Sequence, residues 1–177
     1  MLTRVLHFWR RLKKSLEPCR LGPYTDRYRR ILWLANKEAK RSNHEYVGTE
    51  HILLALVKEG SGPAAGVLSS LGIDLKGLRR VVEKIVPRGP EIVTFGTLPL
   101  TASAREVIDR SLEEAQKLNH SYVGSEHLLL AILREEEESV ACQIFRNMSL
   151  SPEKIKAAVL KLPQFSSDQI KSPGLEA

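Results

Sequence analysis

Two short stretches of this 177-residue chain carry side chains that could do chemistry, and they are nearly the same stretch. Residues 43–59 read NHEYVGTEHILLALVKE and residues 119–135 read NHSYVGSEHLLLAILRE, with eleven of the seventeen positions identical at an offset of 76. Each offers a glutamate followed by a histidine, Glu50-His51 and Glu126-His127, with a further histidine seven positions upstream, His44 and His120. Carboxylate beside imidazole raises metal ligation, catalysis and recognition of a cation. A zinc site on one helix needs ligands at i and i+4, as in H-E-x-x-H, and neither copy has that spacing, so core or turn hydrogen bonding is the expected duty of the imidazoles. No G-x-S-x-G motif occurs, and Gly60-Ser61-Gly62-Pro63-Ala64-Ala65-Gly66 lacks the lysine of a phosphate-binding loop; it reads as a helix break. Without a P-loop the usual apparatus of nucleotide hydrolysis is missing. Cys142 reads as an ordinary buried thiol. The expectation is a protein that is not an enzyme, with no cofactor and no metal.

Recognition remains. Gly48 and Gly124 are expected to hold a tight turn, and Thr49 and Ser125 to cap the helix that follows. Glu50 and Glu126 then stand in the first helical turn, where the helix dipole favours a carboxylate by a few tenths to about 1 kcal/mol. As binding residues, each would accept a guanidinium or amine from a partner, bidentately where that partner is an arginine. An acidic residue displayed twice at matching places points to a two-fold binding surface rather than a single catalytic cleft.

The elements that must position these residues are legible from apolar spacing. Thr25 is a fitting N-cap for a helix with Ile31, Leu32, Ala35 and Ala39 on its inner face, ended by the turn Ser42-Asn43-His44. A second helix buries Ile52, Leu53, Leu56 and Val57 and stops at Gly60 and Gly62. Pro63 opens a third, Gly72 suits its left-handed end, and Asp74 caps a fourth bearing Leu75, Leu78, Val82 and Ile85. The plan then repeats: Thr101 caps a helix with Val107, Ile108, Ser111 and Ala115. Leu128, Leu129, Ile132 and Leu133 mark the next, Ile144 and Phe145 the third, and Ser151-Pro152-Glu153 opens the fourth, with Ile155, Val159 and Leu162. The predicted fold is all-α, two tandem four-helix repeats packed as a pseudo-two-fold pair, plus an N-terminal amphipathic helix. Its parts are an arm (1–22), repeat one (24–87), a linker (88–100) in which Ile92, Val93 and Phe95 suggest a short extended stretch, repeat two (101–162) and a flexible tail (163–177).

Composition narrows the function classes. With 42% hydrophobic residues the chain can bury a real core. Its net charge is +6, but residues 1–20 alone carry +5, leaving +1 for the rest. The pI of 9.4 therefore belongs to the arm, and no nucleic acid is expected on the body. Two cysteines, Cys19 and Cys142, form no C-x-x-C pair, so neither a disulfide framework nor a zinc knuckle is expected and a reducing, cytoplasmic location fits. No apolar run is long enough to span a bilayer, and the arm lacks the apolar core of a signal peptide. Leu2, Val5, Leu6, Trp9, Leu12 and Leu16 give it helical spacing with a basic opposite face. It could lie on an anionic membrane surface, pack on a partner or on its own domain, or serve as an organellar transit segment.

Both halves resemble one family. YTDRYRRILWLANKEAKRSNHEYVGTEHILLALVKEGSGPAAGVLSSLGI looks like the first repeat of a Clp N-terminal domain, and TASAREVIDRSLEEAQKLNHSYVGSEHLLLAILREEEESVACQIF like the second. The resemblance covers about residues 24–162, and the signature Y-V-G-T/S-E-H-[IL]-L-L, present twice, is specific. It is nearest to the ClpC-type unfoldases, where this double four-helix unit precedes two AAA+ modules and receives adaptors and substrates for the Clp protease. No AAA+ module follows in this sequence, so the resemblance implies binding without unfolding power, by a monomer whose partners are Clp unfoldase or peptidase subunits, adaptors or substrates. An accessory subunit docked on the Clp proteolytic core, and a membrane-tethered regulator, are the alternatives. In ClpC-type domains the glutamate of each G-T-E-H and the threonine opening each repeat are associated with phosphorylated arginine. Those positions map to Glu50 and Thr25, and to Glu126 and Thr101. The sequence departs from the family pattern at Ala102 and Ser103, where proline and arginine are usual, and at the acidic run 135–138, which replaces a glycine-rich turn. Both departures are expected to weaken the second site.

Overall fold

The computed structural model describes residues 24–91, 96–134 and 139–162. The arm, the stretch at 92–95, the acidic run 135–138 and the tail lie outside the described residues.

Eight helices and no strand make up the described chain. Repeat one contains α1 (Asp26–Arg41), α2 (Thr49–Glu59), α3 (Pro63–Ser70) and α4 (Leu75–Ile85). Repeat two contains α5 (Ala102–Lys117), α6 (Ser125–Ile132), α7 (Val140–Asn147) and α8 (Pro152–Leu160). Local chemistry sets most of the boundaries. Thr25 and Thr101 each accept a backbone N–H three residues on, from Tyr28 at 3.1 Å and from Ala104 at 3.0 Å. Asp74, Ser139 and Ser151 cap α4, α7 and α8 in the same way. Gly60 ends α2 at φ 74°, a left-handed position that glycine occupies without strain.

The helices α2 and α6 are buried nearly all round, which is why their sequences are apolar on every face rather than on one stripe. They contact each other at the centre, and the other main contacts between the repeats come in twins: α2 with α7 and α6 with α3, α1 with α6 and α5 with α2, α4 with α7 and α8 with α3. The result is a pseudo-two-fold pair sharing a single hydrophobic cluster, in which each third helix packs against the fourth helix of the other repeat. The second half of the linker is part of that body, with Leu98 and Leu100 buried and the Leu98 N–H held by Asn36 Oδ1 at 2.8 Å. No single described helix is long and apolar enough to cross a membrane.

Candidate binding sites at two crossed helix starts

The chain crosses over at both copies of the repeated signature. Tyr24 pairs with Val123 and Val47 with Leu100 in isolated parallel bridges. The Thr25 N–H donates to the Val123 carbonyl at 3.0 Å, and the Thr101 N–H to the Val47 carbonyl at 3.0 Å. Each site is therefore composite. Thr25, which opens repeat one, lies beside the Gly124-Ser125-Glu126 helix start of repeat two, and Thr101 lies beside Gly48-Thr49-Glu50. The pairing expected within each repeat, Thr25 with Glu50 and Thr101 with Glu126, is corrected to Thr25 with Glu126 and Thr101 with Glu50. The two-fold packing is the cause: it lays each repeat's opening residues on the other's second helix.

The caps are also reassigned. Gly48 and Gly124 are the N-cap residues, while Thr49 and Ser125 are the first residues inside the helix. Capping falls instead to the imidazoles at the third helical position. The Gly48 N–H donates to His51 Nδ1 at 2.9 Å and the Gly124 N–H to His127 Nδ1 at 2.8 Å, the reach-back that glutamate or glutamine makes in a capping box. Nor do the glycines serve a tight turn, since both have extended dihedrals (φ −97° and −109°) open to any residue. They make room for the neighbouring carboxylate. A Cβ on Gly124 would stand 2.6 Å and 2.7 Å from the two Glu126 oxygens, and one on Gly48 would lie closer still to those of Glu50.

These capping bonds fix the imidazoles. Because His51 Nδ1 accepts, its proton sits on Nε2 and is donated to His44 Nδ1 at 2.9 Å; His44 Nε2 then donates to the Pro87 carbonyl at 3.0 Å. Repeat two has the first two links, with His127 Nε2 and His120 Nδ1 2.8 Å apart. Burial, followed by the neighbouring histidine, pushes His51 down to about 3 and His127 to about 4, so both are neutral at neutral pH. His44, Glu50 and His51, and likewise His120, Glu126 and His127, place donor atoms within 4.8 Å of one another, a spacing a metal ion could use. In repeat one all four ring nitrogens are already engaged by protein groups, so this set is poorly suited to a metal.

The carboxylates are left without a cation. Glu50 is 4% exposed and Glu126 7% exposed. Glu50 Oε1 lies 3.2 Å from His51 Nδ1, but that nitrogen presents a lone pair, so the contact is no ion pair. Burial raises the Glu50 carboxyl above the usual glutamate range, opposed by its own backbone N–H. Among the described residues no lysine or arginine reaches either carboxylate; Glu126 has the Ser125 hydroxyl at 3.4 Å and the Tyr122 hydroxyl nearby, both neutral. An ionised buried carboxylate of this kind is an acceptor for a guanidinium or ammonium brought from outside. The surroundings of the two differ. Near Ser125, which precedes Glu126, Arg27 Nε pairs with Glu59 at 3.5 Å, and a Cβ on Gly62 would stand 2.7 Å from both Arg27 Cδ and Ser125 Oγ. The position equivalent to Arg27 is Ser103, so with the crossed pairing the missing arginine belongs to the Glu50 site and not to that of Glu126.

The sequence alone missed Arg27 and Glu59, which meet Ser125 around Gly62, and Tyr122. The Tyr122 hydroxyl is buried without a hydrogen-bond partner, and burial followed by the Glu126 charge pushes it up to about 12. Only its repetition, as Tyr46 and Tyr122 within the signature, could have pointed to it.

Comparison with known proteins agrees with this architecture. "Chaperone protein ClpC, chloroplastic" of Pisum sativum is 42% identical over 160 residues, 90% of this chain but 17% of that protein. The chain thus spans about a sixth of that relative. The crystal structure of the N-terminal domain of the chaperone ClpD from Arabidopsis thaliana superposes with a TM-score of 0.68 at 22% identity, covering 82% of this chain and 97% of that one. A complex of the ClpV N-domain with VipB peptide superposes at 0.60 and 16% identity, over 79% and 90% of the two chains. The family model for the Clp repeat (R) N-terminal domain matches residues 23–148, and with both repeats, their crossed starts and the ClpC-type relatives in agreement, the chain belongs to that family as a ClpC-type N-terminal domain.

Proposed function

We propose that this domain is a non-catalytic protein-binding module of the Clp protease system, recognising substrates or adaptors through the two composite sites, with phosphoarginine-marked segments as ligands. The observation that carries the reading is the pair of buried carboxylates without a cation, each beside the threonine that opens the other repeat. A guanidinium would supply the missing counter-charge, and the N–H groups at the start of α1 or α5 a place for its phosphate. The VipB peptide on a ClpV N-domain supports peptide binding as a use of this fold.

Affinity capture from a lysate enriched in arginine-phosphorylated proteins tests the reading. The bait should retain marked proteins or Clp unfoldase subunits, and Glu50→Ala combined with Glu126→Ala should release the marked proteins. Recovery of the Clp peptidase ring alone, unchanged by the double substitution, would favour an accessory subunit on the proteolytic core instead. Recovery of neither class would remove both readings.

A further inference from the structure

The two repeats share their buried positions but not the outer face of their first helix. On α1 that face carries Arg30, Trp33 and Lys37; the positions 76 residues on, on α5, are Glu106, Asp109 and Glu113. All six are exposed, Trp33 by 49%, large for an indole. The inversion extends to the units: residues 24–91 hold twelve basic and eight acidic side chains, residues 96–162 eight basic and ten acidic. The basic face has no carboxylate partner among the described residues, while the acidic face is paired only in part. Among the described residues no carboxylate pairs with Arg30 or Lys37, and Lys37 Nζ lies 3.7 Å over the Trp33 ring. Glu106 and Glu113 pair with Arg110 and Arg134, yet remain 58% and 54% exposed, and the groups that act on Asp109 are burial, Glu113 and Glu106, all of which raise it.

From this opposition we propose that the outer face of α1 docks on the outer face of α5 of a second copy of the chain. Arg30 and Lys37 would meet Glu106 and Glu113, and the Trp33 indole N–H would donate to the Asp109 carboxylate. A second copy is the occupant because the two faces are opposite in sign at the same helical register on one molecule, so each copy presents both halves of the contact. One helix face on another is smaller than a standard stable interface, so the association is weak, reversible and salt-sensitive. It is independent of the glutamate sites.

Sedimentation of the full chain over a concentration series tests this, with two variants. Arg30→Glu with Lys37→Glu makes both faces acidic; Glu106→Lys with Glu113→Lys makes both basic. The wild-type chain should associate at high concentration, about tenfold more weakly as salt rises from low to several hundred millimolar. Each variant alone should stay monomeric, and an equimolar mixture should associate again, since the two then restore opposite charge at every contact. All substituted positions are exposed, and an unchanged helical circular-dichroism spectrum confirms the fold. A wild-type chain monomeric throughout, association that survives in either variant (as contact through residues 1–20 would), or a mixture that stays monomeric would each overturn the proposal.

Discussion

Glu50 is placed where an ionised carboxylate is least stable and most available. Burial raises its pKa, so the folded state resists ionisation that the unfolded chain permits. The linkage has a definite sign. Below the unfolded glutamate value, about 4.3, both states are protonated and nothing is lost; as pH rises through the raised folded value, stability falls. Glu50→Gln should therefore raise the melting temperature at pH 7 by about 1–3 °C, with the gain vanishing near pH 4, measured by thermal denaturation across pH. A residue kept for packing alone would lower it. Gly124→Ala tests the neighbouring glycine: its Cβ collides with the Glu126 carboxylate and not with backbone, so the fold should persist while phosphoarginine affinity falls, by about tenfold or more.

At the scale of elements, the histidine relay ties the start of α2 to the end of α4. Removing it with His51→Ala leaves the Gly48 N–H and His44 Nδ1 without partners and should lower the melting temperature by roughly 5–10 °C. His51→Gln, which can reach back to the cap N–H, should recover part of that loss. The relay also sets an acid limb. Unfolded histidine takes up a proton near pH 6.5, while folded His51 resists until about 3 and His127 until about 4. The stabilisation from their neutral forms is thus complete above about pH 6.5 and is lost as pH falls towards those values, a slope that His51→Ala should flatten in pH-dependent denaturation. Glu38 shows the contrasting use of a buried acid. Burial opposes its ionisation, but hydrogen bonds from Arg79 and Lys58 prevail and hold its pKa below the usual range, so this acid serves stability and not recognition.

Across the whole molecule, the crossing of the repeats decides which residues act together. Thr25→Ala should impair the site of Glu126, and Thr101→Ala that of Glu50; a double-mutant cycle on phosphoarginine affinity should show coupling for the crossed pairs and additivity for Thr25 with Glu50. This crossing was not legible in the sequence. An offset of 76 reveals which positions are equivalent, but equivalence is silent on whether a repeat packs on itself or on its twin. The helices, their N-caps at Thr25, Thr101, Asp74 and Ser151, and the inner faces were legible because each follows from local spacing and chemistry. Thr49 and Ser125 were misread as caps because a hydroxyl before an apolar run is the usual signal, whereas here an imidazole three residues after a glycine does that work. The role of Gly48 and Gly124 was hidden for a related reason: what demands a missing side chain is the fold-back of the next carboxylate but one, which no backbone rule anticipates.

On this reading the two buried carboxylates, Glu50 and Glu126, are ligand sites. Calorimetric titration of the full chain with phosphoarginine, beside Glu50→Ala and Glu126→Ala, tests it most directly. Saturable binding at two sites is expected, with each substitution removing one and the pair removing both. An unsubstituted chain that binds none would contradict it and leave both glutamates as helix-start residues.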